Sequence, residues 1–284
     1  MKTIQINGPY NFDFVLDRLT RDPLHIVNLQ ERMVKVPLNF NETPHVAVVR
    51  AIETTENPTF EITGTNDHGI AKLNKIFQWE TDLNEIYCHF QHTTLKSIFQ
   101  AHYGTALVLE FSPYRCLLKC IIHQQLNTSF AHTLTERFVK KYGYEIDNVW
   151  FYPSPDQVAN LTVDELRELQ FSGRKAEYVI GIGEKVSEGE LDFDTMENQS
   201  EQDIYNELIK IRGVGPWTVQ NFLMFGLGRP NLFPMADIGI QNALKRHFEL
   251  DEKPSKADME EYKKDWEPYL SYASLYLWRS IEKE

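Results

Sequence analysis

Cysteine is scarce in this 284-residue chain, which holds only Cys88, Cys116 and Cys120. Three thiols fit no disulfide framework, and the C-x-x-x-C spacing of the last two, on a helical segment, matches neither zinc nor iron–sulfur ligation. All three read as buried free thiols. Long apolar runs are missing as well. No stretch approaches the ~18–20 apolar residues that span a bilayer, and the opening "MKTIQINGPYNFDF" has no apolar signal core, so a cytoplasmic protein without membrane contact is expected. Positive charge is in deficit: 29 Lys and Arg stand against 41 Asp and Glu, a net charge of −12. That balance excludes indiscriminate attachment to nucleic acid, which needs clustered lysine or arginine. It leaves open local phosphate contacts through backbone amides and helix N-termini, which a charge count does not register. The nine histidines contain no H-E-x-x-H or paired ligand spacing, so no catalytic metal is expected. No fixed-period repeat or low-complexity tract occurs.

What is present is ordinary for a globular protein, with 42% hydrophobic and 25% charged residues and a length that suits two domains of ~100–200 residues. The segments "KTIQI", "HIVNLQERMVKVPL", "HVAVVRAIE" and "TFEITGT" carry β-branched or alternating patterns, with "NETP" and "ENP" as turns. "NFDFVLDRLTR" and "HGIAKLNKIFQ" repeat at helical period. The first 104 residues therefore form an antiparallel α+β unit. From about Leu83 onward the pattern is helical throughout: "TLKSIFQAHYG" stops at Gly104, "SPYRCLLKCIIHQQL" starts at Ser-Pro, and "SFAHTLTERFVKKYG" stops at Gly143. Capping boxes are expected at Thr162 to Glu165 and at Ser200 to Asp203. The "GIG" at Gly181 to Gly183 follows a helix rather than a strand, which rejects a nucleotide loop and suggests a helix end.

Residues 200–227 spell a helix, a turn "IRGVG" and a second helix opened by Pro216, well placed where its missing N–H has no partner to lose. Gly213 and Gly215 are expected to supply backbone freedom. Such a turn is either a plain αα-corner or a helix-hairpin-helix, whose exposed amides receive a phosphate while carbonyls across the loop ring a monovalent cation. Twenty residues on, Asp237 precedes "IGIQNALKRHF". It is an N-cap by position, and a carboxylate held at a helix's positive end is also what stabilises a developing sugar cation. Lys245, Arg246 and His247 complement the other end of that helix.

The segment "LIKIRGVGPWTVQNFLMFGLGRPNLFPMADIGIQNAL" resembles the hairpin, Gly/Pro-rich loop and aspartate of the base-excision DNA glycosylase superfamily, and within it the DNA-3-methyladenine glycosylase II family. "CLLKCIIHQQLNTSFAHTLTERFVKKYG", "FYPSPDQVANLTVDELRELQFSGRKAEYV" and "WEPYLSYASLYLWR" are similar to further stretches of that family. The likeness spans Tyr114 to Arg279 firmly, and the first hundred residues by pattern alone. It implies an α+β, mostly helical fold with an amino-terminal antiparallel sheet domain (1–104), a central helical domain carrying the hairpin (105–230) and a carboxy-terminal helical domain (231–284). DNA would lie in the cleft between the last two.

By the same resemblance Asp237 is the catalytic carboxylate of a monofunctional enzyme that extrudes and hydrolyses alkylated purines, 3-methyladenine and 7-methylguanine, from double-stranded DNA. Trp217 stands where glycosylase/lyases place a Schiff-base lysine, which disfavours the lyase alternative. The other alternative, a hairpin protein that binds DNA without catalysis, is opposed by the aspartate and the aromatic pair. Trp217 and Trp278 match base-stacking tryptophans, where cation–π attraction would favour a cationic base. For Trp278 core packing is an equal reading, and Tyr269, Tyr272 and Tyr276 are assigned to the core. Asn221 replaces a family tyrosine, so a more polar pocket is expected. Gln125 matches the residue wedged into the duplex gap, with Leu126 beside it, and a helix-terminal turn is the alternative. Gly213, Val214, Gly215 and Thr218 would contact the DNA backbone. Carbonyls of Ile209, Ile211 and Val214 would hold structural Na+ or K+. No catalytic cofactor, no iron–sulfur centre and a monomer are expected.

Overall fold

The computed structural model describes residues 1–40 and 43–282, so Asn41 and Glu42 of the expected "NETP" turn lie outside the described residues. Strand β1 (Lys2–Gln5) leads to α1 (Phe12–Leu19), capped by Asn11, whose side chain accepts the Phe14 N–H at 3.1 Å. Phe12, Val15, Leu16 and Leu19 recur at helical spacing and are buried. Phe14 and Arg18, one turn apart, line a cavity shared with helices of the second half. Strands β2 (Ile26–Asn28), β3 (Met33–Phe40), β4 (Thr43–Ala51) and β5 (Thr59–Thr63) complete an antiparallel sheet of order β1-β5-β4-β3-β2. Its register pairs Val34 with Val49 and Val36 with Ala47, so alternate residues of one face go to the core.

Helix α2 (Asp67–Phe77) begins at the Asn66 cap. Helices α3 (Leu83–Phe90) and α4 (Lys96–Ala101) follow, then α5 (Pro113–His123) behind the Ser112 cap and α6 (Thr128–Tyr142) behind the Asn127 cap. The expectation of unrelieved helix fails next. Strands β6 (Tyr144–Ile146) and β7 (Val149–Phe151) form a hairpin in which Asp147 and Asn148 both take left-handed backbone (φ +51° and +64°). Val149 and Phe151 pack with Val46 of β4 in a small satellite core. The hairpin thus extends the β half with a piece taken from the helical half.

Helices α7 (Pro155–Ala159) and α8 (Val163–Glu168) each open with a capping box, the second at Thr162 and Glu165 as expected. Helix α9 (Gly173–Ser187) contains Gly181 and Gly183 in its interior, which corrects the reading of a helix end. A Cβ on Gly183 would come within 2.8 Å of Val158 and of the Ala159 amide, so this glycine lets α7 and α9 pack closely. Then come α10 (Phe193–Met196), α11 (Glu201–Leu208), α12 (Pro216–Phe225), α13 (Ile238–His247), α14 (Lys256–Tyr262) and α15 (Leu270–Ile281). At α11, Ser200 accepts the Asp203 amide at 3.1 Å, and its own hydroxyl, rather than its backbone, binds the Asp203 carboxylate.

Helices α3 and α4 pack with α15 although the central helices separate them in sequence. The rings of Phe90, Phe99 and Tyr276 stack at successive centroid spacings of 3.7 Å, and the Tyr276 hydroxyl accepts the Thr105 amide. Tyr272 and Tyr276 are buried, and Tyr269 donates its hydroxyl to Glu85 at 2.7 Å. Cys116 and Cys120 are buried as expected, whereas Cys88 is exposed. One contiguous apolar core runs through all these layers.

A buried ionic cluster fastens the two halves. Lys119 Nζ of α5 lies 2.8 Å from Asp22 and 2.7 Å from Glu110, and Arg115 reaches the same two carboxylates at 3.2 and 3.0 Å. Burial alone would raise the Glu110 carboxyl, but Lys119 and Arg115 outweigh it and hold it down to about 2. Burial and the adjacent Arg115 push His25 down to about 3. Asp22, His25 and Glu110 lie close enough together to share a metal ion, but Arg115 and Lys119 among them already neutralise the carboxylates.

Candidate active site

The hairpin between α11 and α12 comes directly from its residues. Gly213 has left-handed backbone (φ +91°), and a Cβ there would meet the Tyr178 ring at 2.3 Å. Gly215 differs from expectation. Its backbone is extended (φ −112°), open to any residue, and an added Cβ would meet no atom within 4 Å. What Gly215 leaves clear is the space before the first turn of α12, which has no side-chain cap and starts with Pro216. Amides left without a side-chain cap at such a helix start can receive an anion.

Val214 and Thr218 turn their side chains inward, at 6% and 1% exposure. Only their backbones can face a ligand, because the Thr218 hydroxyl already accepts Gln124 Nε2 at 2.9 Å. The same Gln124 nitrogen donates to the Gly213 carbonyl at 2.8 Å. This pair of bonds ties the hairpin to the turn after α5. Gln125, next in that turn, is exposed with left-handed backbone (φ +56°), while Leu126 packs on the core. Lys175 of α9 donates to the carbonyls of Ile121, Ile122 and Gln124 at 3.0, 2.6 and 2.9 Å, and burial lowers its ammonium to about 8. Neither Gln124 nor Lys175 was identifiable from sequence, since each acts on backbone distant in the chain. Of the three carbonyls expected to ring a cation, that of Ile211 accepts the Val214 amide at 3.0 Å and keeps a lone pair free. Neutral backbone oxygens are a donor set that suits a monovalent ion.

Asp237 caps α13 as its position implies. Oδ1 accepts the Ile240 amide at 2.9 Å and also the indole Nε1–H of Trp278 at 2.8 Å. Among the described residues Oδ2 has no hydrogen-bond partner, and the side chain is half-buried rather than sealed. One oxygen is anchored from two directions and the other is left to act. Gly239 makes room for this. A Cβ at that position would stand 2.9 Å from Asp237 Oδ1 and 3.1 Å from the Trp278 ring. The sequence offered core packing or stacking for Trp278, and the structure adds a third role, orienting the carboxylate.

Trp278 also lines a cavity of about 220 Å3 together with Asn221, Phe225 and Arg18. A second cavity of about 220 Å3 adjoins it, sharing Arg18, Asn221 and Phe225 and adding Trp217, Lys119 and His123. Trp217, Asn221 and Phe225 recur every fourth residue along α12 and so form one stripe, of which Asn221 and Phe225 line both cavities and Trp217 the second alone. Asn221 donates to the Trp217 carbonyl at 2.9 Å, and the Trp217 ring is 40% exposed. The structure therefore brings Asp237, Trp278, Asn221 and Trp217 to one place, walled by aromatic faces, with the hairpin amides alongside on α12.

A helix-turn-helix hairpin with uncapped amides, a turn with a projecting side chain and an anchored carboxylate beside an aromatic cavity define the helix-hairpin-helix class of proteins that act on a base drawn out of DNA. The chain belongs to the family described as "HhH-GPD superfamily base excision DNA repair protein", whose model matches residues 118–268. It is 54% identical over 283 residues, 98% of both chains, to a Bacillus subtilis protein named "Putative DNA-3-methyladenine glycosylase YfjP". Among solved structures it is similar to the 3-methyladenine DNA glycosylase of Archaeoglobus fulgidus (TM-score 0.85, 21% identity, 98% of both chains). It is also similar to Schizosaccharomyces pombe 3-methyladenine DNA glycosylase in complex with abasic DNA, with TM-score 0.61 and 24% identity over 69% of this chain and 96% of that one. These last two likenesses concern the fold, which is the α+β architecture with an amino-terminal antiparallel sheet expected from the sequence, and that sheet has five strands.

Proposed function

We propose that this chain is a monofunctional DNA glycosylase that hydrolyses the N-glycosidic bond of alkylated purines, 3-methyladenine and 7-methylguanine, in double-stranded DNA. The observation that carries the reading is the state of Asp237: fixed through Oδ1 by the α13 amide and the Trp278 indole, with Oδ2 unengaged. As the base leaves, positive charge develops on the sugar, and a preorganised carboxylate stabilises it or orients the attacking water. Hairpin amides at the start of α12 hold the strand, Gln125 fills the vacated stack, and Trp217 and Trp278 offer π-faces to the base. The carbonyls of Ile209, Ile211 and Val214 would hold Na+ or K+ and stiffen the turn. Nothing in the reading needs a second subunit, and it suits a cytoplasmic protein. Among the described residues no helix is long and apolar enough to cross a membrane.

Lyase chemistry needs a neutral amine at the sugar. Trp217 occupies the position of that lysine, and the lysine that does line the cavity, Lys119, is engaged by Asp22 and Glu110. Burial would lower its ammonium, but those carboxylates outweigh burial and hold it well above its ordinary value. The test is product analysis on methylated duplex DNA. Chromatography should show free 3-methyladenine and 7-methylguanine, and the strand should stay unbroken until alkali is added. Enzyme-dependent nicking trapped by borohydride would overturn the monofunctional reading.

A further inference from the structure

The turn that carries Gln125 is held more firmly than its length requires. Gln124, Gln125 and Leu126 connect the end of α5 to Asn127, the cap of α6. Gln125 takes left-handed backbone (φ +56°), which a residue other than glycine seldom keeps without support. One cation supplies that support. Lys175 of α9 directs its three ammonium protons to the carbonyls of Ile121, Ile122 and Gln124, at 3.0, 2.6 and 2.9 Å. It is half-buried and, among the described residues, pairs with no carboxylate. A charge withdrawn from water without a counter-charge is tolerated only when its protons are all matched, and here the negative end of α5 matches them. A second tie comes from the hairpin. The side-chain amide of Gln124 donates both to the Gly213 carbonyl and to the Thr218 hydroxyl, while the main-chain carbonyl of the same residue accepts Lys175. Gln124 therefore joins the projecting turn, the hairpin and the first turn of α12.

We propose that Lys175 and Gln124 are positioning residues that hold Gln125 projecting, so that insertion of its side chain into the duplex and the hairpin's hold on the strand act as one rigid unit. The inference rests on the glycosylase reading and deepens it. Neither residue lines the two cavities beside Asp237, so each acts through Gln125 and the hairpin rather than on the base. Extruding a base means breaking its pair and losing its stacking, and a side chain that fills the vacancy offsets that loss best when it is already in place. A turn free to rearrange would give up part of the gain to the entropy of ordering it. A base with no pair to break needs less help. The two residues should therefore matter most where the damaged base is firmly paired.

The experiment follows single-turnover release of 7-methylguanine from two duplexes, one with the damaged base opposite cytosine and one with it opposite an abasic analogue. Lys175→Met keeps the stem and removes the cation, Lys175→Arg keeps a cation with several donors, Gln124→Met removes the bridge to the hairpin, and Gln125→Ala removes the projecting side chain itself. We expect Lys175→Met and Gln124→Met to slow release from the paired duplex at least about 10-fold and from the unpaired one by less than about 3-fold, the pattern of Gln125→Ala. Lys175→Arg should stay within about 3-fold of the wild type, and Lys175→Met combined with Gln125→Ala should be no slower than the slower single variant. Should Lys175→Met fail to fold, Gln124→Met decides by the same ratio. An equal loss on both duplexes, or full additivity with Gln125→Ala, would make the pair supports of the fold alone and overturn the inference. Wild-type release that neither variant alters would overturn it and leave the proposed function standing. A wild type that releases the base from neither duplex would overturn both.

Discussion

At the scale of single residues, the decisive feature is the division of labour between the two oxygens of Asp237. Helix capping does not compete with the proposed catalysis, because the cap uses Oδ1 and leaves Oδ2 unengaged. The indole of Trp278 is the second anchor, and a phenyl ring in its place would keep the cavity wall while losing the N–H. We expect Trp278→Phe to fold normally and to lose about 10-fold in kcat with little change in KM, since only the orientation of the carboxylate suffers. A change in KM alone would return Trp278 to base stacking. The sequence made Asp237 visible through its place after the hairpin and before a helix. It could not show the Trp278 bond, which joins residues 41 apart, or the reason Gly239 has no side chain. Arg18 was equally hidden. On α1 it carries no signal beyond the helical period, and only the packing of the amino-terminal unit against α12 places it in a cavity.

At the scale of elements, the two hairpin glycines separate stability from binding. Gly213→Ala must adopt a left-handed backbone and displace the Tyr178 ring, so we expect a loss of about 1–3 kcal/mol. Gly215→Ala meets nothing within the protein. Its midpoint of denaturation should move by less than about 0.5 kcal/mol, while affinity for a duplex carrying an abasic analogue falls, because the methyl group occupies the approach to the α12 amides. Denaturant titration and fluorescence anisotropy check the pair, and a stability loss at Gly215 with unchanged affinity would refute the assignment. Most helices were legible because caps such as Asn11, Ser112 and Thr162 act within three residues. The β6–β7 hairpin was not, because strands of three residues carry too short a pattern and owe their form to packing on Val46. Gly183 misled for a related reason: a close helix contact and a helix end both call for glycine.

At the scale of the whole molecule, the halves are joined through buried charge, and pH acts on that joint. His25 and His123 are both lowered to about 3, chiefly by burial, with Arg115 and Lys119 respectively adding to it. A histidine protonates near 6.5 in the unfolded chain, so the unfolded state takes up protons first. The stability these groups contribute is complete above about pH 6.5 and is lost as pH falls towards 3. Glu110, held at about 2 against an ordinary 4.5, adds a further loss as pH falls below 4.5. Between pH 6.5 and 5 we expect His25 alone to cost on the order of 1–2 kcal/mol. Thermal midpoints across this range should decline, and His25→Gln should flatten the slope. A level profile would contradict the buried neutral histidine. The net charge of −12 fits the proposed function, in which a few aimed amides rather than a basic surface would hold DNA.

Across all three scales the account turns on the free oxygen of one carboxylate, and the most direct measurement replaces it alone. Asp237→Asn keeps the shape and the cap, and its single-turnover release of 3-methyladenine can be followed beside its affinity for a duplex bearing an abasic analogue. The account predicts that release falls by at least about 10³-fold while affinity stays within about 3-fold of the wild type. Parallel loss of release and affinity would contradict it and leave Asp237 a helix cap.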